Sequence, residues 1–138
     1  MTAQDSSVFR WPVRVYYEDT DAGGVVYHAR YLNFCERART EWLRARGWEQ
    51  DALRDQQKVV FVVARASLEY RRPARFNDPL NVTCEVTRLR AAAIDFTQRV
   101  EHSADSSVLC EVSVRVVCVD TETFRPKPIP EPILESFA

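Results

Sequence analysis

The chain has 138 residues and a mass of 16.0 kDa, with 46% apolar and 11% aromatic residues, enough for one domain with a proper core and against disorder. A formal net charge of -1 supplies no global field for nucleic acid or an anionic membrane. Only three glycines are present, two of them adjacent at Gly23 and Gly24, so no G-x-G-x-x-G and no Walker A loop can be written, and G-x-S-x-G is absent as well.

Residues 1–8 read as a disordered tip and 9–138 as a single domain. Apolar residues alternate through Phe9, Trp11, Val13, Val15 and Tyr17, which predicts a half-buried strand, with Pro12 tolerable at an edge. Residues 18–28 break the pattern and carry the glycine pair. A helix is predicted over 31–46, with Tyr31, Phe34, Cys35, Ala38, Trp42 and Ala45 on one stripe and Gly47 as its C′ residue. A short second helix is expected around 49–56. Four strands follow, over 59–70, 80–89, 94–102 and 108–119, and the short turns at 91–93 and 103–107 imply antiparallel neighbours. The proline-punctuated tail from Phe124 reads as an irregular extension. One long helix must bury its stripe against the sheet, which leaves the other face of the sheet uncovered and predicts a dimer formed through a sheet edge or a sheet face.

Cys35, Cys84, Cys110 and Cys118 form no C-x-x-C, and three of them sit in alternating apolar runs. They read as reduced core thiols of a cytoplasmic protein. No apolar run approaches the ~18 residues of a membrane span. Two histidines, His28 and His102, are too few and too scattered for a zinc site. Of the 19 basic residues, 17 are arginine, the better bidentate ligand for phosphate, although codon bias is the plainer source of that count.

The informative segment runs from Tyr17 to Tyr31 and joins the first strand to the long helix. It places Asp19, Asp21, Gly23, Gly24 and His28 just before a helix N-terminus, where unpaired N–H groups and the positive dipole end favour a developing anion. The two glycines let the backbone turn sharply and let a substrate approach it. Asp19 and Asp21 equally suit a turn or a cap, and a lone histidine is more often structural. Asp19-x-Asp21-x-x-Gly24 also opens like a calcium loop, but its fifth position is Gly23 and its twelfth is Arg30, not the bidentate Glu.

The stretch from Phe9-Arg10-Trp11-Pro12-Val13-Arg14-Val15-Tyr16-Tyr17 through the Asp21 loop to Glu36-Arg37-Ala38-Arg39-Thr40-Glu41 resembles the hotdog-fold acyl-CoA thioesterases of the 4-hydroxybenzoyl-CoA thioesterase family. Within that family it is most similar to the bacterial thioesterases associated with the Tol–Pal envelope system. Phe61-Val62-Val63, Glu69-Tyr70, Pro73-Ala74-Arg75, Phe96-Thr97-Gln98-Arg99 and Val117-Cys118-Val119-Asp120 extend the match along the chain.

The resemblance implies an α+β hotdog fold, with an antiparallel sheet wrapped around one long helix. It also implies a homodimer, often paired into tetramers, with active sites at the interface. Asp21 would be the catalytic carboxylate, as nucleophile or as general base toward water. His28 would orient water or substrate, with its N–H toward the thioester oxygen, and Tyr17 would position the carboxylate or the acyl group. Gly23 and Gly24 would line the substrate path, and Asp19 would be a structural loop residue. Arg88 and Arg90 would hold coenzyme A phosphates, with Arg71, Arg72 and Arg75 as a second cluster. No cofactor is implied, because coenzyme A is part of the substrate. The alternative is a module that binds acyl carrier protein or an envelope partner, peripheral at the inner membrane, with incidental hydrolysis. A hydratase of the same fold would carry a different Asp/His placement, later and on the helix.

Overall fold

A computed structural model describes residues 8–137. Period-2 alternation builds the three central strands. Pro79–Leu89 (β3), Ala93–His102 (β4) and Val108–Asp120 (β5) form a meander of antiparallel hairpins. Phe9–Arg14 (β1) joins the β3 side and Val59–Tyr70 (β2) joins β5, so the sheet order is β1-β3-β4-β5-β2, antiparallel throughout. Register shifts interrupt the ladders at Val63/Arg65, Val86/Arg88 and Val100/Glu101. Bulges of this kind bend strands and increase twist, which lets the sheet curve.

The curved sheet holds one long helix, Arg30–Ala45 (α1), against β3, β1 and β4. Tyr31, Phe34, Cys35, Ala38, Trp42 and Leu43 form its buried stripe. Phe34 is fully buried, and loss of such a side chain costs ~3–5 kcal/mol. Buried Gln98 of β4 fastens the helix to the sheet: its amide donates to the carbonyls of Cys35 (3.0 Å) and Thr83 (3.2 Å), and its oxygen accepts from Arg39 (2.9 Å). The helix ends at Gly47 (φ +90°), where Gly47 N–H reaches Arg44 O and Trp48 N–H reaches Leu43 O. That pair of bonds is a Schellman closure, which needs a left-handed residue at C′. This is the α+β hotdog arrangement implied by the resemblance.

The expected elements appear, with four differences. The first strand stops at Arg14, because Val15 pairs with Asn77 and Asp78 and the chain then enters a 3-10 turn at Tyr17–Asp19. On α1 the buried flank is Leu43 and Ala45 is exposed. The second helix is one α-turn, Gln50–Ala52 (α2), followed by a π-turn, Leu53–Gln57, and closed by Lys58 at φ +57°. The tail contains a helix, Glu131–Ser136 (α3), because Pro132 falls in its first turn, where a missing N–H costs nothing, and Ile133 is buried. The N-terminal tip lies outside the described residues apart from Val8.

All four cysteines are free and buried. Burial pushes the Cys35 thiol up to about 12 and Cys110 and Cys118 up to about 11, and raises Cys84 as well. Among the described residues no helix is long and apolar enough to cross a membrane, and no group of His, Cys, Asp or Glu is placed to hold a metal ion.

Candidate active site

The segment after β1 is built in two steps, and each aspartate has its own step. Asp19 is buried, and its Oδ2 accepts the Tyr16 N–H at 2.8 Å while its own N–H donates to Tyr16 O at 3.0 Å. Its carbonyl accepts Tyr27 N–H at 2.8 Å, and Arg30 Nε stands 3.9 Å from its Oδ1. Asp19 therefore braces the loop, as expected for a structural residue.

Asp21 begins the second step. Thr20 and Val26 form an isolated antiparallel bridge, and Asp21 N–H donates to Val25 O at 2.9 Å. Between them the chain reverses: Gly24 N–H donates to Asp21 O at 3.0 Å, and Gly23 N–H donates to Asp21 Oδ1 at 2.8 Å. Gly24 sits at φ +80°, a backbone region that side chains disfavour. The carboxylate of Asp21 is exposed, in contrast to that of Asp19. The tip is pinned from below, because Val26 N–H donates to Ala74 O at 2.8 Å and Val25 bridges Arg75.

His28 follows at the entrance to α1. It is exposed, and its ring lies 4.4 Å from that of Tyr27. Among the described residues, the N–H groups of His28 and Ala29 have no backbone acceptor. They lie beside the positive end of a 16-residue helix that has no side-chain cap. An oxyanion is stabilised by donors in this position.

Tyr17 is 80% exposed and packs on Phe76, ring centroids 5.3 Å apart, on the outside of the turn. Its carbonyl accepts both the Thr20 N–H and the Thr20 hydroxyl.

Arg88 and Arg90 are not brought to this loop within one chain. They lie at the far end of β3 from Pro79, which adjoins the loop segment. Nine residues of strand at ~3.3 Å each put about 30 Å between them. Arg90 is also engaged, with Arg115, on Asp95 of β4, at 3.0 and 2.8 Å. These guanidinium groups, Arg115 first, hold the Asp95 carboxyl down at about 2. The arginines beside the loop are Arg71, Arg72 and Arg75, where Arg71 pairs with Glu69 and the other two carry no ion pair among the described residues.

Tyr31 and Tyr70 complete the surroundings, and for Tyr70 the sequence offers no site role. The buried Tyr31 hydroxyl accepts Ala74 N–H at 3.1 Å, and Tyr70, at the end of β2, donates its hydroxyl to His28 O at 2.9 Å. Only the strand order brings residue 70 to residue 28, so local pattern carries no signal for that contact. A cavity of about 370 Å³ opens further along α1, between Arg39, Trp42 and Leu43 and the sheet residues Phe61, Ile94 and Phe96. No residue of the Asp21 loop lines it.

Residues 15–137 match the model of the thioesterase-like superfamily. The chain is 49% identical over 133 residues to the acyl-CoA thioester hydrolase YbgC of Escherichia coli O6:H1, covering 96% of this chain and 98% of that protein. It is 45% identical over 129 residues to the acyl-CoA thioesterase YbgC of Haemophilus influenzae, covering 94% and 93%. Among solved structures, a probable thioesterase from Bartonella henselae superposes with a TM-score of 0.84 at 33% identity, covering 89% of this chain and 99% of that one. On this match, which takes in the Asp21 loop and every strand after it, the chain belongs to the thioesterase-like superfamily.

Proposed function

We propose that the protein is an acyl-CoA thioester hydrolase whose working carboxylate is Asp21. The observation that carries this reading is the placement of an exposed carboxylate, held by Gly23 N–H, on a loop that leads directly to unpaired N–H groups at the start of α1. The names of the relatives supply the substrate class.

The chemistry follows from those two parts. The thioester carbonyl oxygen sits at the His28 and Ala29 N–H groups, and its carbon faces Asp21. Asp21 either adds to that carbon, giving a mixed anhydride that water then opens, or takes a proton from the water that adds. In both routes the C–S bond breaks and the sulfur leaves as coenzyme A thiolate, which takes up a proton. A thiolate leaves readily, so no strong general acid is required. His28 orients water or substrate, and Tyr17 shapes the approach from the side of Phe76.

The working unit is a homodimer. The outer edge of β2 is unpaired among the described residues, and Val63 on it is 53% exposed. Long apolar edges are normally covered. Arg88 and Arg90 serve the phosphates only across such an interface, whereas Arg72 and Arg75 lie on the segment to which the loop is pinned. The four buried thiols suit a reducing cytoplasm.

Thiol release from a panel of acyl-CoA chain lengths, and from matched acyl carrier protein thioesters, tests the reading. Turnover of at least one acyl-CoA is expected, with a solution mass of twice the 16.0 kDa chain or a multiple of that. No thiol release from any thioester contradicts it.

A further inference from the structure

The two peptide planes that flank His28 are held by different elements. Arg30 N–H donates to Tyr27 O at 2.8 Å and sets the plane that carries the His28 N–H. The plane that follows, with the His28 carbonyl and the Ala29 N–H, would in a regular α-helix be held by Leu32 N–H. Here Leu32 N–H donates to Ala29 O instead, at 3.2 Å, and the donor to His28 O is the Tyr70 hydroxyl at 2.9 Å. Tyr70 is the last residue of β2 and is half exposed, so burial does not account for it. Its ring is set edge-on against Tyr31, centroids 5.5 Å apart, and Tyr31 is fixed by Ala74 N–H. The segment that carries Ala74 also pins the Asp21 loop, through Val26 N–H.

We infer that Tyr70 is a positioning residue: its hydroxyl locks the His28–Ala29 peptide, and with it the His28 ring and the Ala29 N–H, in the orientation the reaction needs. This rests on the thioesterase reading above. An unlocked peptide can rotate its carbonyl into the place of its N–H. That removes a donor from the oxyanion site without disturbing the sheet or α1. Misplacement on this scale costs up to about 10²-fold in rate.

Tyr70→Phe deletes one oxygen and keeps the ring on Tyr31. For hydrolysis of an acyl-CoA turned over by the wild type, kcat should fall about tenfold while KM stays within about twofold, because the defect lies in transition-state geometry. The melting temperature should stay within about 2 °C. Backbone ¹⁵N relaxation should show order parameters at His28 and Ala29 falling from ~0.85 toward ~0.6 in Tyr70→Phe, with Ala38 unchanged. Wild-type kcat together with unchanged order parameters overturns the assignment. If the wild type hydrolyses no thioester, the thioesterase reading falls, and the relaxation data alone decide whether Tyr70 locks the peptide.

Discussion

Gly23 N–H donates to Asp21 Oδ1 at 2.8 Å, and a Cβ built on Gly23 would stand only 3.2 Å from that same oxygen. Gly23 is therefore needed for the space beside the carboxylate, whereas Gly24 is needed for its φ of +80° and has open space around it. The two adjacent glycines should fail differently. Gly23→Ala crowds the hydrogen-bonded oxygen of Asp21, which must give by a few tenths of an ångström, and should lower kcat with little change in stability. Gly24→Ala should cost about 1 kcal/mol of stability through backbone strain. Paired kinetics and thermal melts read the difference, and identical profiles for the two variants would contradict it.

The Tyr31 hydroxyl accepts the N–H of fully buried Ala74. Tyr31→Phe leaves that N–H without an acceptor in a site closed to water. The expected loss is ~1–3 kcal/mol by urea unfolding, in contrast to the near-neutral Tyr70→Phe. A Tyr31→Phe variant as stable as the wild type would mean that the bond is not made in solution.

Asp95 is held between Arg115 and Arg90, with its carboxyl at about 2 in the folded state against an ordinary value of 3.8. A lowered folded value means that the unfolded chain takes up the proton first. The contribution to stability is therefore full above about pH 4 and is lost as pH falls toward 2. Asp95→Asn should melt below the wild type at pH 7, and the gap should close between pH 4 and pH 2. A gap independent of pH would show that the cluster acts by packing alone.

The arginines divide by position. Arg75 is bridged to the Asp21 loop through Val25 and carries no ion pair among the described residues, whereas Arg88 lies at the far end of β3. Arg75→Ala should raise KM for acyl-CoA several-fold at low ionic strength, and less at high salt, where phosphate contacts are screened. A rise confined to Arg88→Ala would instead place the nucleotide at the far end of β3, reached across the subunit interface.

The fold was readable where the chemistry is local. The stripe from Tyr31 to Trp42 predicts α1 and its buried face, and Gly47 predicts its end. The period-2 runs of β3, β4 and β5 with their short turns predict the meander. The contrast between Asp19 and Asp21 was readable only through the family resemblance, since both are turn formers by type. What escaped depends on chain paths that no local window contains. Tyr70 meets His28 across 42 residues, Asp95 gathers Arg90 from the turn after β3 and Arg115 from β5, and the direction of β3 carries Arg88 away from the loop. Pro132 hid α3 because a proline reads as a breaker unless the helix start is known.

The most direct measurement is steady-state acyl-CoA hydrolysis by the wild type and by Asp21→Asn. The substituted amide keeps an acceptor oxygen for Gly23 N–H, so the loop keeps its shape while the negative charge is lost. With Asp21 as nucleophile or base, kcat should fall by ~10² to 10⁴-fold with the melting temperature unchanged. Turnover by Asp21→Asn at the wild-type rate would contradict the account.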